Sequence, residues 1–120
     1  INGNLYSKDG MTLIQYSEGK KDKEFNIPKG VTSIGDYAFA SCDNLTNITI
    51  PESVTSIGTG AFEGCDNLTN IIIPEGVTSI GSGAFSKCDN LIIYCRASSV
   101  PIGWDDDWNS TNCPVVCGYK

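Results

Sequence analysis

Three consecutive stretches of the chain decide its fold. Residues 27–49 read IPKGVTSIGDYAFASCDNLTNIT, residues 50–72 read IPESVTSIGTGAFEGCDNLTNII, and residues 73–95 read IPEGVTSIGSGAFSKCDNLIIYC. The three stretches have equal length, and the first two are identical at 16 of 23 positions. A unit this short cannot bury its own apolar face, so neighbouring units are expected to stack into a solenoid around one continuous core.

The first two stretches show what each coil of the solenoid contains. Residues 45–50 are β-prone and place Ile48 and Ile50 on one face, which predicts a half-buried strand with Thr49 on the outward face. Pro51 ends that strand, and residues 54–57 form a second extended piece that Gly58 closes with a sharp turn. The repeat therefore predicts one parallel sheet with strands near residues 24–27, 46–50, 69–73 and 91–95.

A compact turn is predicted between the second extended piece and the next strand. Ala61, Phe62 and Cys65 follow Gly58 at helical spacing, which predicts a short helical turn with its apolar side inward. Each coil should then contribute a repeating set of apolar side chains to the core, which in the second coil is Ile50, Val54, Ile57, Ala61, Phe62, Cys65, Leu68 and Ile71.

All 120 residues are expected to form one structural domain with a cap at each end. Residues 1–26 should form an N-terminal hairpin, with a primed turn at Asp9-Gly10, and the strand of a partial coil. Residues 27–95 form the three repeats. Residues 96–120 form a C-terminal cap.

The last repeat departs from the earlier spacing. Its strand at residues 91–95 is one position short, and because a slip of one position exchanges the two faces of a strand, Leu91, Ile93 and Cys95 are expected to face inward. The apolar residues of the cap would then cover the open end of the core: Trp104, Trp108, Val115 and Val116.

Composition excludes several classes of function. Fourteen acidic and eight basic residues give a net charge of −6, which disfavours nucleic-acid binding. Histidine is absent, which excludes Ser-His-Asp catalysis, Cys-His catalysis and His-ligated metal sites. We therefore expect no enzymatic activity, cofactor or metal. No apolar stretch reaches the roughly 20 residues of a membrane span. The chain begins with Ile and shows no signal peptide, so we expect a fragment or a processed product.

Six cysteines fall into two groups. Cys42, Cys65 and Cys88 occupy the same position in the three repeats, which predicts an inward column of free thiols whose side chains run parallel. The cap region carries the others, Cys95, Cys113 and Cys117. A Cys95–Cys113 disulfide closing the cap loop and three reduced thiols both remain open. A zinc site lacks a fourth ligand.

Acidic residues cluster in turns. Residues 105–107 are three consecutive aspartates between two tryptophans, and a solvated loop is favoured over a cation site because consecutive carboxylates point in different directions. An Asp-Asn pair precedes each repeat strand, at residues 43–44, 66–67 and 89–90. These pairs are expected to form a ladder of turns, with an acidic cation-binding edge as the alternative.

The repeat pattern IPxxVTSIGxxAFxxCxNLTxIxIP resembles the BspA-like class of leucine-rich repeats, found in bacterial and some protist surface proteins. Residues 27–95 carry this pattern, and residues 96–120 resemble the C-terminal capping region of such proteins. Cys117 stands where relatives often have Trp after CPVV. The resemblance implies a right-handed β/α solenoid at the cell surface or outside the cell, used for display, adhesion or binding, with no catalytic residues to transfer.

Two functions follow from this fold. The favoured hypothesis is a non-enzymatic binding or adhesion module for a protein or glycan, expected to be a monomer; the alternative is a structural spacer of a larger surface protein. The outward strand residues become apolar toward the C-terminal end, which favours binding. The predicted contact surface comprises Asn47, Thr49, Asn70, Ile72, Ile92 and Tyr94. A cap that folds back over these same residues remains open.

Overall fold

The computed structural model describes residues 4–16, 22–109 and 112–118. Parts of both predicted caps, residues 1–3, 17–21, 110–111 and 119–120, lie outside the described residues. The described chain contains ten strands: β1 (Leu5–Tyr6), β2 (Thr12–Gln15), β3 (Glu24–Asn26), β4 (Ser33–Ile34), β5 (Asn47–Thr49), β6 (Ser56–Ile57), β7 (Asn70–Ile73), β8 (Ser79–Ile80), β9 (Ile92–Cys95) and β10 (Val115–Cys117).

The strands form two sheets that run along one solenoid. Sheet 1 has the order β1-β2-β4-β6-β8, and sheet 2 has the order β10-β9-β7-β5-β3. All neighbours pair in parallel except β1 and β2. Sheet 2 contains the four strands predicted to share one parallel sheet, so that prediction is confirmed.

The register of sheet 2 follows the repeat until its last strand. Asn47 pairs with Asn70, the equivalent residue of the next repeat, whereas Asn70 pairs with Ile92, one position before its own equivalent. The predicted slip is therefore confirmed: Ile93 and Cys95 are buried, while Ile92 lies on the outward face. Burial of the apolar set, rather than the residue count, fixes the strand at this position.

The core is one continuous column of apolar side chains, and each of the three repeats contributes an equivalent set to it. Every apolar side chain predicted for the second coil is buried. The phenylalanine rings stack along the axis, with centroids 5.2 Å apart both from Phe39 to Phe62 and from Phe62 to Phe85. Because the coils repeat at strand spacing, equivalent rings meet face to face.

None of the described residues lies in a helix, so the predicted short helical turns are wrong. In the second coil, backbone N–H groups alternate between the same coil and the next one: Glu63 donates to Gly60 O, whereas Phe62 donates to Ala84 O, 2.8 Å away. Gly60 and Gly64 have φ angles of 59° and 73°, in the left-handed region that interrupts a right-handed helix. The inter-coil hydrogen bonds therefore replace the intrahelical ones.

Residues 4–16 form the predicted antiparallel hairpin, but its turn differs from the prediction. A primed two-residue turn at Asp9-Gly10 needs positive φ at Asp9, whereas here Gly10 has it, at 76°, and Asp9 does not. Gly10 N–H donates to Ser7 O at 2.9 Å, so the connection is longer. Leu13 and Tyr16 are buried against the first coil, and β2 pairs with β4, so the hairpin closes that end.

The C-terminal cap is a shortened further coil. Trp104 N–H donates to Pro101 O as Val77 N–H does to Pro74 O, and the Trp104 indole N–H donates to Val77 O at 3.1 Å. The Trp108 ring meets Phe85 edge-on at 6.1 Å, so both tryptophans cover the core as predicted. Val115 is half-buried and packs against the core as predicted, whereas Val116 does not form part of this lid. They pair with β9 as β10, and Val116 is 45 % exposed, because the strand continues sheet 2.

Candidate binding surface

The six predicted contact residues lie together on the outward face of sheet 2. They belong to the neighbouring strands β5, β7 and β9, and each alternates with a buried residue such as Ile48, Ile71 or Ile93. Successive side chains of a strand point to opposite faces, so burial of one set places the other outward. Ile72 and Tyr94 are half-buried, and the other four are exposed: Asn47, Thr49, Asn70 and Ile92.

The outward face changes character along the solenoid axis. The N-terminal strands present Glu24 and Asn26, and the middle strands present asparagine and threonine. At the C-terminal end, Ile72 pairs with Tyr94, which pairs with Val116. The described part of the cap does not fold over these residues. It adds β10 beside β9 and extends the apolar row.

A groove of about 680 Å³ lies over part of this face. Its floor contains four of the six predicted residues: Asn47, Thr49, Asn70 and Ile72. Its wall comes from the segments that follow the strands, because parallel strands place all their carboxyl ends at one edge of the sheet. Ile92 and Tyr94 do not line the groove and lie beyond it on the same face.

Charged side chains that the sequence analysis missed line this groove. Lys29, Glu52 and Arg96 come from three different coils, and Arg96 is the only arginine of the chain. The sequence signal that could have identified these residues is their shared location just after a strand of sheet 2. Ser53 holds the wall in place: its hydroxyl donates to Val31 O at 2.8 Å and accepts from Gly30 N–H at 3.2 Å. The groove thus combines amide, cationic and apolar groups.

The aspartates and asparagines of the turns have structural partners. Residues 105–107 are exposed, and Asp105 accepts a hydrogen bond from the Asp107 N–H at 2.9 Å. Asn67 donates to Asp43 O at 2.6 Å, and Asn90 donates to Asp66 O at 3.4 Å, which forms the predicted ladder between coils. Across the described residues, no group of three or more acidic or cysteine side chains could hold a metal ion.

The cysteine column is buried as predicted. Cys42, Cys65 and Cys88 are free and no more than 8 % exposed. The thiols of Cys65 and Cys88 donate to the carbonyls of Phe39 and Phe62 in the preceding coils, at 3.0 and 2.9 Å. The neighbouring Cys88 thiol and burial both raise the pKa of Cys65. The Cys65 thiol is therefore a neutral packing group.

The cap cysteines do not form the Cys95–Cys113 disulfide considered from the sequence. All three are free, and Cys113 lies against the last coil, where its thiol donates to Cys88 O at 3.3 Å. Cys95 instead pairs in register with Cys117. The path of the cap brings Cys117, rather than Cys113, beside Cys95.

Comparison with known proteins identifies the repeat. The family described as BspA type leucine-rich repeat region matches residues 16–100, in six copies. The chain belongs to this family. No protein of curated function matches the sequence significantly. No helix of the described BspA-type chain is long and apolar enough to cross a membrane.

Solved structures of bacterial leucine-rich repeat proteins resemble the BspA-type chain. A protein from Eubacterium ventriosum is 39 % identical with a TM-score of 0.76, over 84 % of this chain and 28 % of that one. A protein from Bacteroides capillosus is 27 % identical with a TM-score of 0.75, over 98 % and 95 %. A leucine-rich cell surface protein from Faecalibacterium prausnitzii is 28 % identical with a TM-score of 0.59, over 98 % and 38 %. The chain thus spans about a quarter of the Eubacterium ventriosum protein.

Proposed function

We propose that the chain is a non-enzymatic binding module of a cell-surface protein and that it contacts its ligand through the outward face of sheet 2. The observation that carries this proposal is the row Ile72, Tyr94 and Val116, which continues across three parallel strands beside a groove. Contiguous apolar surface of this kind is more typical of interaction sites than scattered apolar residues are. Tyrosine also gives rigid contact area with a polar tip.

The same face supports binding over a structural spacer. A spacer needs only a soluble surface, for which polar residues suffice along the whole sheet. The N-terminal part of the face meets that description at Glu24 and Asn47, whereas the C-terminal part does not. The groove also places Lys29 and Arg96, cations of a chain with net charge −6, in the same lining as Ile72 of the apolar row. The ligand class that suits this lining is a protein or a glycan with acidic groups.

Location and chemistry support the same proposal. The cell-surface protein of Faecalibacterium prausnitzii shares the fold over nearly the whole chain, which supports a surface or extracellular location. The lack of histidine and the exposure of residues 105–107 support a role without catalysis. We expect the binding unit to be a monomer, because a solenoid of this type closes both ends of its core with its own caps.

A glycan and matrix-protein array tests the proposal. The purified chain carries a fluorophore on its N-terminal amine, which leaves Lys29 unmodified, and is applied to printed glycans and extracellular-matrix proteins, with the Ile72→Ser, Tyr94→Ser double variant as the comparison. The proposal expects saturable binding to at least one probe by the original chain and much weaker binding by the variant. Equal binding by both chains to every probe, or no binding by either, contradicts it and favours the spacer.

A further inference from the structure

Two cysteines that the fold brings together have no place in the binding surface. Cys95 ends β9, Cys117 ends β10, and the two are register partners in a parallel pair. Neighbouring strands lie roughly 4.8 Å apart, and Cα atoms of disulfide-bonded cysteines lie about 4.4–6.8 Å apart. Register pairing also places both side chains on one face of the sheet, the inner face that Cys95 occupies.

A shared carbonyl fixes the approach of the two residues. The Cys95 thiol donates to Ala97 O at 3.6 Å, and the N–H of Gly118, next to Cys117, donates to the same oxygen at 2.7 Å. The Ala97 carbonyl oxygen therefore holds the segments that carry Cys95 and Cys117 next to each other. We infer that Cys95 and Cys117 are a disulfide site that locks the C-terminal strand onto sheet 2.

The inner cysteine column lacks the features that make this pair bridgeable. Cys65 and Cys88 lie between coils that hold them on both sides, and each donates to a carbonyl of the preceding coil. Cys117 is half-buried on a short edge strand and is followed by Gly118, whose φ is 77°. The edge strand can therefore adjust while the two parallel side chains rotate into disulfide geometry.

The bond forms by thiol–disulfide exchange with an external disulfide. The Cys117 thiolate attacks the external disulfide, forming a mixed disulfide and releasing one thiol. The Cys95 sulfur, after losing its proton to solvent, attacks the Cys117 sulfur and releases the second thiol. Two protein thiols are oxidised, and one external disulfide is reduced to two thiols.

Oxidised glutathione, applied to the folded chain, tests the site. We expect the intact mass to fall by about 2 Da, the two hydrogens lost on oxidation, and digestion to yield one linked peptide pair containing Cys95 and Cys117. We expect the thermal midpoint to rise by roughly 5–10 °C, because the bond closes a loop that is open in the reduced unfolded chain. Treatment in denaturant confirms that the reagent oxidises the chain.

Two matched variants separate this site from its neighbours. Cys113→Ser should retain the mass loss and the rise in midpoint, whereas Cys117→Ser should lose both while keeping the reduced chain folded. A linkage from Cys113 to Cys95 or Cys88, or no linkage in the folded chain while the denatured chain oxidises, overturns the inference.

Discussion

Ile72 and Tyr94 are register partners on the parallel strands β7 and β9, and both lie on the face turned away from the core. Their pairing depends on the slip of the last repeat by one position, since an unbroken period would place Cys95 opposite Ile72. The slip thus buries Cys95 and at the same time brings a tyrosine into the outward row. The departure from the repeat creates the apolar surface to which we assign binding.

Truncation of the central phenylalanine should destabilise the whole solenoid. Phe62 is fully buried and stacks between Phe39 and Phe85. We expect Phe62→Ala to lower the free energy of unfolding by about 3–5 kcal/mol, measured by denaturant melts. Tyr37→Ala, at an aromatic that is 49 % exposed, is the control and should cost less than about 1 kcal/mol. A cost this small at Phe62 would show that the ring column does not support the core.

Successive coils should pack too closely at Gly58 to accommodate the methyl group of an alanine. A Cβ at Gly58 would lie 2.6 Å from Asp36 N and 2.7 Å from Gly35 C, both backbone atoms of the preceding coil. We expect Gly58→Ala to cost about 1–3 kcal/mol through this overpacking. At Gly76 the nearest atom to a Cβ is Glu52 O at 3.6 Å, so Gly76→Ala should change stability by less than about 0.5 kcal/mol. Thermal melts that rank the two variants in the opposite order would contradict this packing.

The sequence determines the coil better than it determines the turns and the cap. Alternation around Ile48 and the constant repeat period predict the strands, because burial of one face leaves a single register. The spacing of Phe62 and Cys65 suits a helical turn as well as the alternating turn that forms, and only the bonds to the next coil distinguish them. The partner of Cys95 depends on the path of the cap, which no repeat constrains.

The contact surface was only partly accessible to sequence reasoning. Outward residues such as Asn47 and Ile72 follow from alternation alone. Lys29 and Arg96 were missed although both follow a strand of sheet 2, because their charge does not recur at that position from one repeat to the next.

Burial should protect the inner thiols from reagents. Cys42, Cys65 and Cys88 are buried, and the pKa of Cys65 is raised by the Cys88 thiol and by burial. We expect none of the three to react with an aromatic disulfide reagent in the native chain and all three to react in denaturant, as followed by mass mapping. Half-buried Cys117 provides the internal control and should react first. Fast native labelling across the inner column would place these thiols outside the core.

Alkaline pH should destabilise the chain through Cys95. Burial and, next, the contact with Cys117 raise the pKa of Cys95 from 9.0 to about 11. The folded chain therefore holds this proton more tightly than the unfolded chain does, and the resulting stability is present below pH 9 and lost as the pH rises toward 11. We expect the thermal midpoint to fall over this window and to fall less steeply in Cys95→Ala. Buried Tyr16 and Cys113, whose pKa values are also raised, contribute in the same direction, so the variant retains part of the slope.

The affinity of the chain for a probe identified on the array, compared between two matched double variants, tests the central claim most directly. Ile72→Ser with Tyr94→Ser removes the apolar row, and Ile14→Ser with Tyr37→Ser removes an exposed isoleucine and tyrosine away from sheet 2. We predict at least about a tenfold loss of affinity for the first variant, since central aromatic and apolar contacts dominate binding energy, with its thermal midpoint unchanged and no loss for the second. A first variant that binds normally but unfolds at lower temperature, or an equal loss in both variants, would contradict the account.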